Sequence, residues 1–330
     1  MKPRGRIRPE PSKIMSESET PDLPPDLSVV LTVVDSGAVL ERCLESLANQ
    51  NGNPSIEALV PYDHITPEVG EIGKRFPQFT FIDMGTILDG LQPTDPLKTN
   101  LFFDARRTVA LKAAKGRLLG IIEDRGIPAP DWCRNMIALH DEHPHAAIGG
   151  AVENSVDHAK NWAIYFCDFS RYQPPLAIDN PEYVTDTNMA YKREPLMEVR
   201  HIWDESYLEA PVNWELRRRG YKLLLSDKAV TVQHRVPGGL STLLGERYHW
   251  ARMFGQIRGR EVGTAERTKL TLAMPLLPFL QLFRQFRRQQ EKGHHMRQFP
   301  TTAPLTFLLL LAWSVGELVG YTQARADQSQ

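Results

Sequence analysis

ARRTVALKAAKGRLLGIIEDRGIPAPDWCRN, residues 105 to 135, places a helix, a strand and an acidic tip in an order that few folds require. Phe102, Ala105, Val109 and Ala113 recur at helical spacing, and Gly116 stands where a helix would stop on a left-handed residue. Leu118 to Ile122 has no polar side chain, the pattern of a short central strand covered on both faces. Glu123 and Asp124 follow at its carboxyl end, where open α/β sheets bind their ligands. Pro128 and Pro130 exclude an immediate helix, and Asp131 is placed to cap one beginning at Trp132.

Outward from this block the alternation continues. Leu27 to Val34 is β-branched and predicts a buried first strand, and Val39, Leu40, Cys43, Leu44 and Leu47 share one helical face that gives out near Asn51-Gly52. Ile56 to Val60 and Phe79 to Met84 predict two further strands, with a helix opening at Thr66-Pro67 between them. Further strands are expected at Ala146 to Val152, Lys222 to Leu225 and Ala229 to Gln233. Strands alternating with helices argue for a mostly parallel sheet flanked by helices. No GxGxxG follows the first strand, which counts against a dinucleotide Rossmann enzyme, and no GxxxxGK[ST] occurs, which excludes a P-loop nucleotidase. A nucleotidyltransferase would show a Gly-rich basic loop after the first strand, and Asp35-Ser36-Gly37 is not one.

The central block resembles the family 2 glycosyltransferases, with Ala105-Arg106-Arg107 for the Ala-Arg-Asn helix and Glu123-Asp124-Arg125 for the DxD-type motif. The resemblance extends over roughly residues 27 to 250 and implies a GT-A-like fold and a nucleotide-diphosphate sugar donor. By the same resemblance Asp63 contacts the nucleotide, Arg106 belongs with the donor-binding residues, and Glu123 and Asp124 face the diphosphate. Asn188 lies in the small polar loop beside the sugar. Glu209 falls on the general base, although Leu208 replaces the acid that usually precedes it. His234 matches a metal ligand of several relatives, and with Asp124 it would hold Mn²⁺ or Mg²⁺. Arg125 departs from the motif, since a guanidinium cannot ligate a metal; it would instead neutralise diphosphate charge. The motif departures leave a second reading open, a catalytically silent nucleotide-sugar-binding or scaffold protein at a membrane.

The chain has 330 residues, 42% of them hydrophobic, enough for one large domain and an appendage. Three cysteines without metal-type spacing fit a reducing compartment. Residues 1 to 26 predict a loose tail without a secretory signal, and the loop 85 to 100 is long enough to cover a nucleotide. His140, His143 and His145 read as surface histidines at a helix end, not a metal cluster.

The transferase domain is expected over residues 27 to 240, and residues 241 to 330 as a basic arm with membrane-associating helices. From Ser241 to Pro300 eleven Lys or Arg face four Glu, leaving the rest of the chain net acidic. The arginines of 247 to 260 alternate with aromatic residues, which suits lipid headgroups beside apolar segments better than nucleic acid. Leu270 to Phe283 is too short to span, whereas Ala303 to Tyr321 fits a tilted span, a half-buried anchor or a core helix. The arginines between them favour the cytoplasmic side of the cell membrane. QxxRW is missing, so one or a few transfers to a lipid-linked or glycan acceptor are expected, rather than chain elongation.

Overall fold

The computed structural model describes residues 24–88, 96–235 and 238–324. The expected tail and most of the expected covering loop therefore lie outside the described residues.

The first half of the chain builds β1 (Leu27–Thr32), β2 (Ile56–Tyr62), β3 (Thr80–Asp83) and β4 (Leu118–Glu123), all parallel, in the order β3-β2-β1-β4. β8 (Asn188–Lys192) then pairs antiparallel with β4 and with β6 (Ala147–Asn154). β9 (Leu223–Gln233) runs parallel to β6, and the short β5 (Gly126–Pro128) and β7 (Ala177–Asp179) flank it antiparallel. The α/β class holds, while half of the pairings are antiparallel, because β8 enters the sheet between β4 and β6 and because β5 and β7 both run against β9.

Side-chain alternation explains the layers. Leu27, Val29 and Leu31 of β1 and Leu118 and Ile122 of β4 pack with Leu40, Leu44, Trp132 and Met136 on one face. Val30, Leu119 and Ile121 pack on the other, with Ala110, Leu111, Tyr191 and Trp203. A central strand buried on both faces needs apolar residues at consecutive positions, which is why Leu118 to Ile122 carries no polar side chain.

Three local expectations change. Lys222–Leu225 and Ala229–Gln233 belong to one strand, and its register against β6 shifts between Gly149 and Ala151. The polar Ser226-Asp227-Lys228 breaks the apolar alternation, but Asp227 keeps the backbone paired by exchanging hydrogen bonds with Leu176. Gly116 is not left-handed. It is small because a Cβ would meet Ser28 N at 2.6 Å, and its N–H donates to Ser28 Oγ at 2.6 Å. His140 is buried, its ring bonded to Ala190 O at 3.1 Å, and burial pushes its pKa down to about 3.

After β9 the chain is helical: Leu240–Glu261, Thr264–Ala273, Leu277–Lys292 and Gln298–Gln323. The last is the one helix, among the described residues, that is long and apolar enough to cross a membrane. It lies along Leu240–Glu261 with backbone against backbone. A Cβ on Gly316 would stand 2.1 Å from Tyr248 O, and one on Gly320 2.3 Å from Arg252 O. Arg247 of the expected headgroup-binding arm is buried, paired with Asp168 and placed over the Trp313 ring at 4.9 Å.

Asn188 opens β8 with its side chain inside the protein. Its Oδ1 accepts from Trp132 Nε1 at 2.7 Å, and its Nδ2 donates to Ala151 O at 2.7 Å and Ala229 O at 3.0 Å. It thereby joins β6, β8, β9 and the helix Trp132–Glu142. Asn188→Ala strands these buried partners, and we expect a loss of about 3 kcal/mol in urea unfolding, with donor binding per folded molecule retained. An unchanged midpoint with lost donor binding would return Asn188 to the sugar site.

Candidate active site

The helix Pro96–Ala113 packs on β1 and β2 and buries a polar face. Asp104, Arg106, Arg107 and Thr108 are buried with Phe102, Ala110, Leu111 and Ala114, while Ala113, expected in the apolar stripe, is exposed. The inward polar residues build the site.

Arg107 is its centre. Its guanidinium meets Asp104 Oδ1 at 3.3 Å, Glu123 Oε1 at 3.3 Å and Asp186 Oδ2 at 2.9 Å. Glu209, at the first position of the helix Glu209–Arg218, accepts a long hydrogen bond from Asp186 N at 3.5 Å. One cation faces four carboxylates, so burial and mutual repulsion are only partly offset. Burial pushes Asp104 up to about 7 and Glu123 up to about 7, with the Asp186 charge adding to both and Arg107 opposing. Burial and then the adjoining Asp186 raise Glu209 well above the ordinary carboxyl range. Arg107 itself is held more firmly protonated, because the carboxylates outweigh its own desolvation.

The acidic motif divides between two environments. Glu123 and Arg125 line the cleft; Asp124 does not. Asp124 Oδ2 accepts the N–H groups of Val34 at 3.0 Å, Asp35 at 3.0 Å and Ser36 at 2.8 Å, and so fixes the loop after β1, where Ser36 takes a φ of 60°. Asp35 in turn grips Arg125 through Nε at 2.7 Å and one terminal nitrogen at 2.5 Å. The second terminal nitrogen of Arg125 has no hydrogen-bond partner among the described residues.

Asp63 and Arg106 form an ion pair at 2.8 Å with both side chains fully buried. Asp63 also accepts from Ile65 N at 3.0 Å, and Arg106 donates to Val33 O at 2.5 Å and Thr66 Oγ1 at 3.2 Å. Neither lines the cleft, and their hydrogen bonds join the ends of β1 and β2.

The residues expected to hold a cation do not fit one. His234 Nε2 lies 2.9 Å from the Arg42 guanidinium and its Nδ1 3.0 Å from Ser155 Oγ, so a positive group already occupies the ligating nitrogen. Asp124 Oδ1 lacks a partner but is buried away from the cleft, and Arg125 stands at the third motif position. Among the described residues no three His, Cys, Asp or Glu side chains converge on a metal position.

The cleft has a volume of about 610 Å³. Glu123, Arg125, Asp186 and Glu209 lie at its polar end, and Phe254, Met274 and Leu310 of the carboxyl-terminal helices at the other. Of the expected site residues the fold thus brings together Glu123, Arg125 and Glu209, and it leaves Asp63, Arg106, Asp124, Asn188 and His234 outside. Asp104, Arg107 and Asp186 were missed as site residues. The i,i+3 pairing of Asp104 with Arg107 beside the Ala-Arg-Arg run was the available signal.

A mixed sheet of this order with an acidic, arginine-lined cleft beside its end defines a nucleotide-sugar transferase of GT-A type. The chain belongs to the glycosyl transferase family 2, whose family model, Glycosyl transferase family 2, matches residues 28–200, and it is a glycosyltransferase. Among solved structures, S. aureus TarS 1-349 in complex with UDP-GlcNAc is 14% identical with a TM-score of 0.50, covering 90% of this chain and 91% of that one. The complex of TarS 1-349 with UDP is 12% identical with a TM-score of 0.46, covering 88% and 90%. The former supports the fold. No curated protein matches.

Asp63→Asn leaves the Arg106 charge buried without its counter-charge, and we expect a loss of about 3–5 kcal/mol, read as a lower denaturation midpoint. A variant of wild-type stability that has lost nucleotide affinity would reverse the assignment.

Proposed function

We propose that the protein transfers a sugar from a nucleotide-diphosphate sugar to an acceptor hydroxyl, with inversion at the anomeric carbon, at the cytoplasmic side of a membrane. The observation that carries this reading is the placement of the Glu209 carboxyl in the cleft, beside Asp186 and with Arg107 and Arg125 in the same lining. The acceptor oxygen bonds to the anomeric carbon as the bond from that carbon to the diphosphate oxygen breaks. The electron pair leaves with the nucleoside diphosphate, and the acceptor proton passes to Glu209. A single displacement of this kind inverts the centre.

Arg125 is proposed as the cation that meets the diphosphate. Asp35 fixes the plane of its guanidinium and leaves one terminal nitrogen to the leaving group, where charge accumulates. Glu123 and Arg107 border the same region. Asp63, Arg106, Asp124 and Asn188 act as positioning residues, holding the strand ends and the loop after β1. The donor and the acceptor helices divide the labour as residues 27 to 240 and 241 to 330. The donor in the TarS structure, UDP-GlcNAc, is the first to test.

Membrane association is supported by the exposed apolar side chains of the last helices, among them Leu272, Phe279, Phe283 and Leu311, beside Arg284 and Arg287. The arginines favour the anionic cytoplasmic leaflet.

Two outcomes follow from these roles. Glu209→Gln should bind donor with unchanged affinity and lose about 10²–10⁴ in kcat. Below its elevated pKa Glu209 is protonated and accepts nothing, so kcat/KM rises with pH through that pKa. Asp186→Asn removes the neighbouring charge that raises it, and the rising limb moves to lower pH. Near-normal turnover of Glu209→Gln, or an unmoved limb in Asp186→Asn, removes the base assignment.

The second concerns the cation. With Arg125 in this role, transfer in excess EDTA stays within about twofold of the untreated rate, a difference under about 0.5 kcal/mol in the barrier. A large loss that Mn²⁺ restores would overturn it.

A further inference from the structure

A second cavity, of about 500 Å³, opens where the helix Glu209–Arg218 turns into β9, and it shares no lining residue with the cleft. Trp214, Arg217 and Arg218 come from the second half of the helix, Tyr221 and Lys222 from the turn, and Asn180 from the residue after β7. Gly220 completes the lining. Its φ of 88° ends the helix, and a Cβ there would meet nothing within 4 Å, so the turn leaves the cavity open.

The lining is rich in hydrogen-bond donors and contains no Asp or Glu. Arg217 uses only its Nε, in a long bond of 3.4 Å to Asn180 Oδ1, and its terminal nitrogens have no partner among the described residues. Lys222 Nζ stands 3.6 Å from Asp179, beyond hydrogen-bond distance. Asn180 Nδ2 and Trp214 Nε1 likewise have no acceptor among the described residues. The neighbouring acids are engaged outside the lining. Glu215 and Glu261 hold Arg218 at 2.9 and 2.8 Å, Glu198 accepts from Tyr221 OH at 2.7 Å, and Asp179 is bonded to His145 at 2.7 Å. The carboxyl end of a helix favours cations, which accounts for Arg217 and Arg218 but not for Lys222 and Asn180, supplied by other segments. Donors that converge without acceptors are complementary to an oxyanion, and the indole of Trp214 adds a flat apolar surface beside them.

We propose that this cavity binds an acidic saccharide, its carboxylate or phosphate group at Arg217, Lys222 and Asn180 and its ring against Trp214. A neutral sugar would leave the cations without a counter-charge, and a bare oxyanion would leave the indole uncovered. Binding here does not depend on the transfer reading, but the two sites share a rigid element: Arg217 stands about 12 Å along the helix from Glu209. The Trp214 ring lies 6.2 Å from that of Phe254, a residue of the cleft wall, so the two spaces stand back to back across this pair of rings.

The test titrates the full chain with glucuronate, glucose 6-phosphate, glucose and inorganic phosphate, followed by saturation-transfer NMR, with excess UDP-GlcNAc present to occupy the cleft. Glucuronate or glucose 6-phosphate is expected to bind at least about tenfold more tightly than glucose or phosphate, and to weaken at least about tenfold in Arg217→Met and in Lys222→Met. Neither side chain is buried, so both variants should melt as the unaltered protein does. No binding of either acidic sugar, glucose or phosphate bound equally well, or affinity retained in either variant would overturn the proposal.

Discussion

A single buried guanidinium, that of Arg107, meets acidic side chains from three other parts of the chain. Glu123 ends β4, Asp186 precedes β8 and Glu209 opens the helix that leads to β9, while Asp104 shares its own helix. Buried ion pairs contribute little net stability, because desolvation offsets their attraction. What this one does is specify position. Each carboxylate lowers its energy by approaching the same cation, so four segments distant in sequence converge on one point. The charge deficit has a chemical consequence as well: burial among like charges raises Asp104 and Glu123 to about 7 and Glu209 well above the ordinary carboxyl range, which brings carboxyl titration towards the pH at which a group can exchange a proton during turnover.

The motif at the end of β4 shows how the turn after a strand sorts chemistry. The strand ends at Glu123, and Asp124 and Arg125 form the turn into β5, so the three side chains take different directions. Glu123 faces the cleft and Asp124 turns to the loop after β1, where its oxygen gathers three N–H groups. Arg125 returns to the side of Glu123. The departure from the usual acidic motif therefore falls on a cleft-facing position, and it changes the sign of the charge offered there. Through Asp35, the residue that Asp124 holds by its N–H, the two environments are joined: the inward acid fixes the loop, and the loop fixes the outward arginine.

Strand periodicity was legible wherever apolar residues filled both faces, as in β1 and β4, and the family likeness was legible in Ala105-Arg106-Arg107 and Glu123-Asp124-Arg125. The helix Pro96–Ala113 was not legible in its orientation. Its small apolar residues repeat at helical spacing, but the face that packs inward carries Asp104, Arg106, Arg107 and Thr108, and polar residues buried in mutual pairs leave no hydrophobic period. The same limit applies to Asp63 and Asn188. A single sequence shows a polar residue at the right place in order, but not whether its partners are a ligand or the interior. Asp63 is satisfied by Arg106 and Ile65, and Asn188 by Trp132 and two carbonyls. Apart from Ile65, those partners come from 43 residues away in one case and from 56, 37 and 41 in the other, separations that local pattern cannot connect.

The carboxyl-terminal helices raise the opposite problem, an apolar segment with two uses. Gln298–Gln323 is long enough to cross a bilayer, yet Gly316 and Gly320 let its backbone touch that of Leu240–Glu261, and larger residues could not occupy these positions without a shift. The buried carboxylate of Glu317 lies on the same turn, bonded to Trp313 Nε1 at 2.8 Å and Tyr321 OH at 2.7 Å, and it lines the cleft. A charged group is expensive in hydrocarbon, and a helix that must satisfy Glu317 and present glycines to a neighbour is built for contact with protein on that side. Leu308, Leu311 and Val315 remain exposed elsewhere on the helix. The helix is thus two-faced, one side part of the cleft wall and the other apolar, and its packing ties any surface it touches to the catalytic groups at a fixed distance.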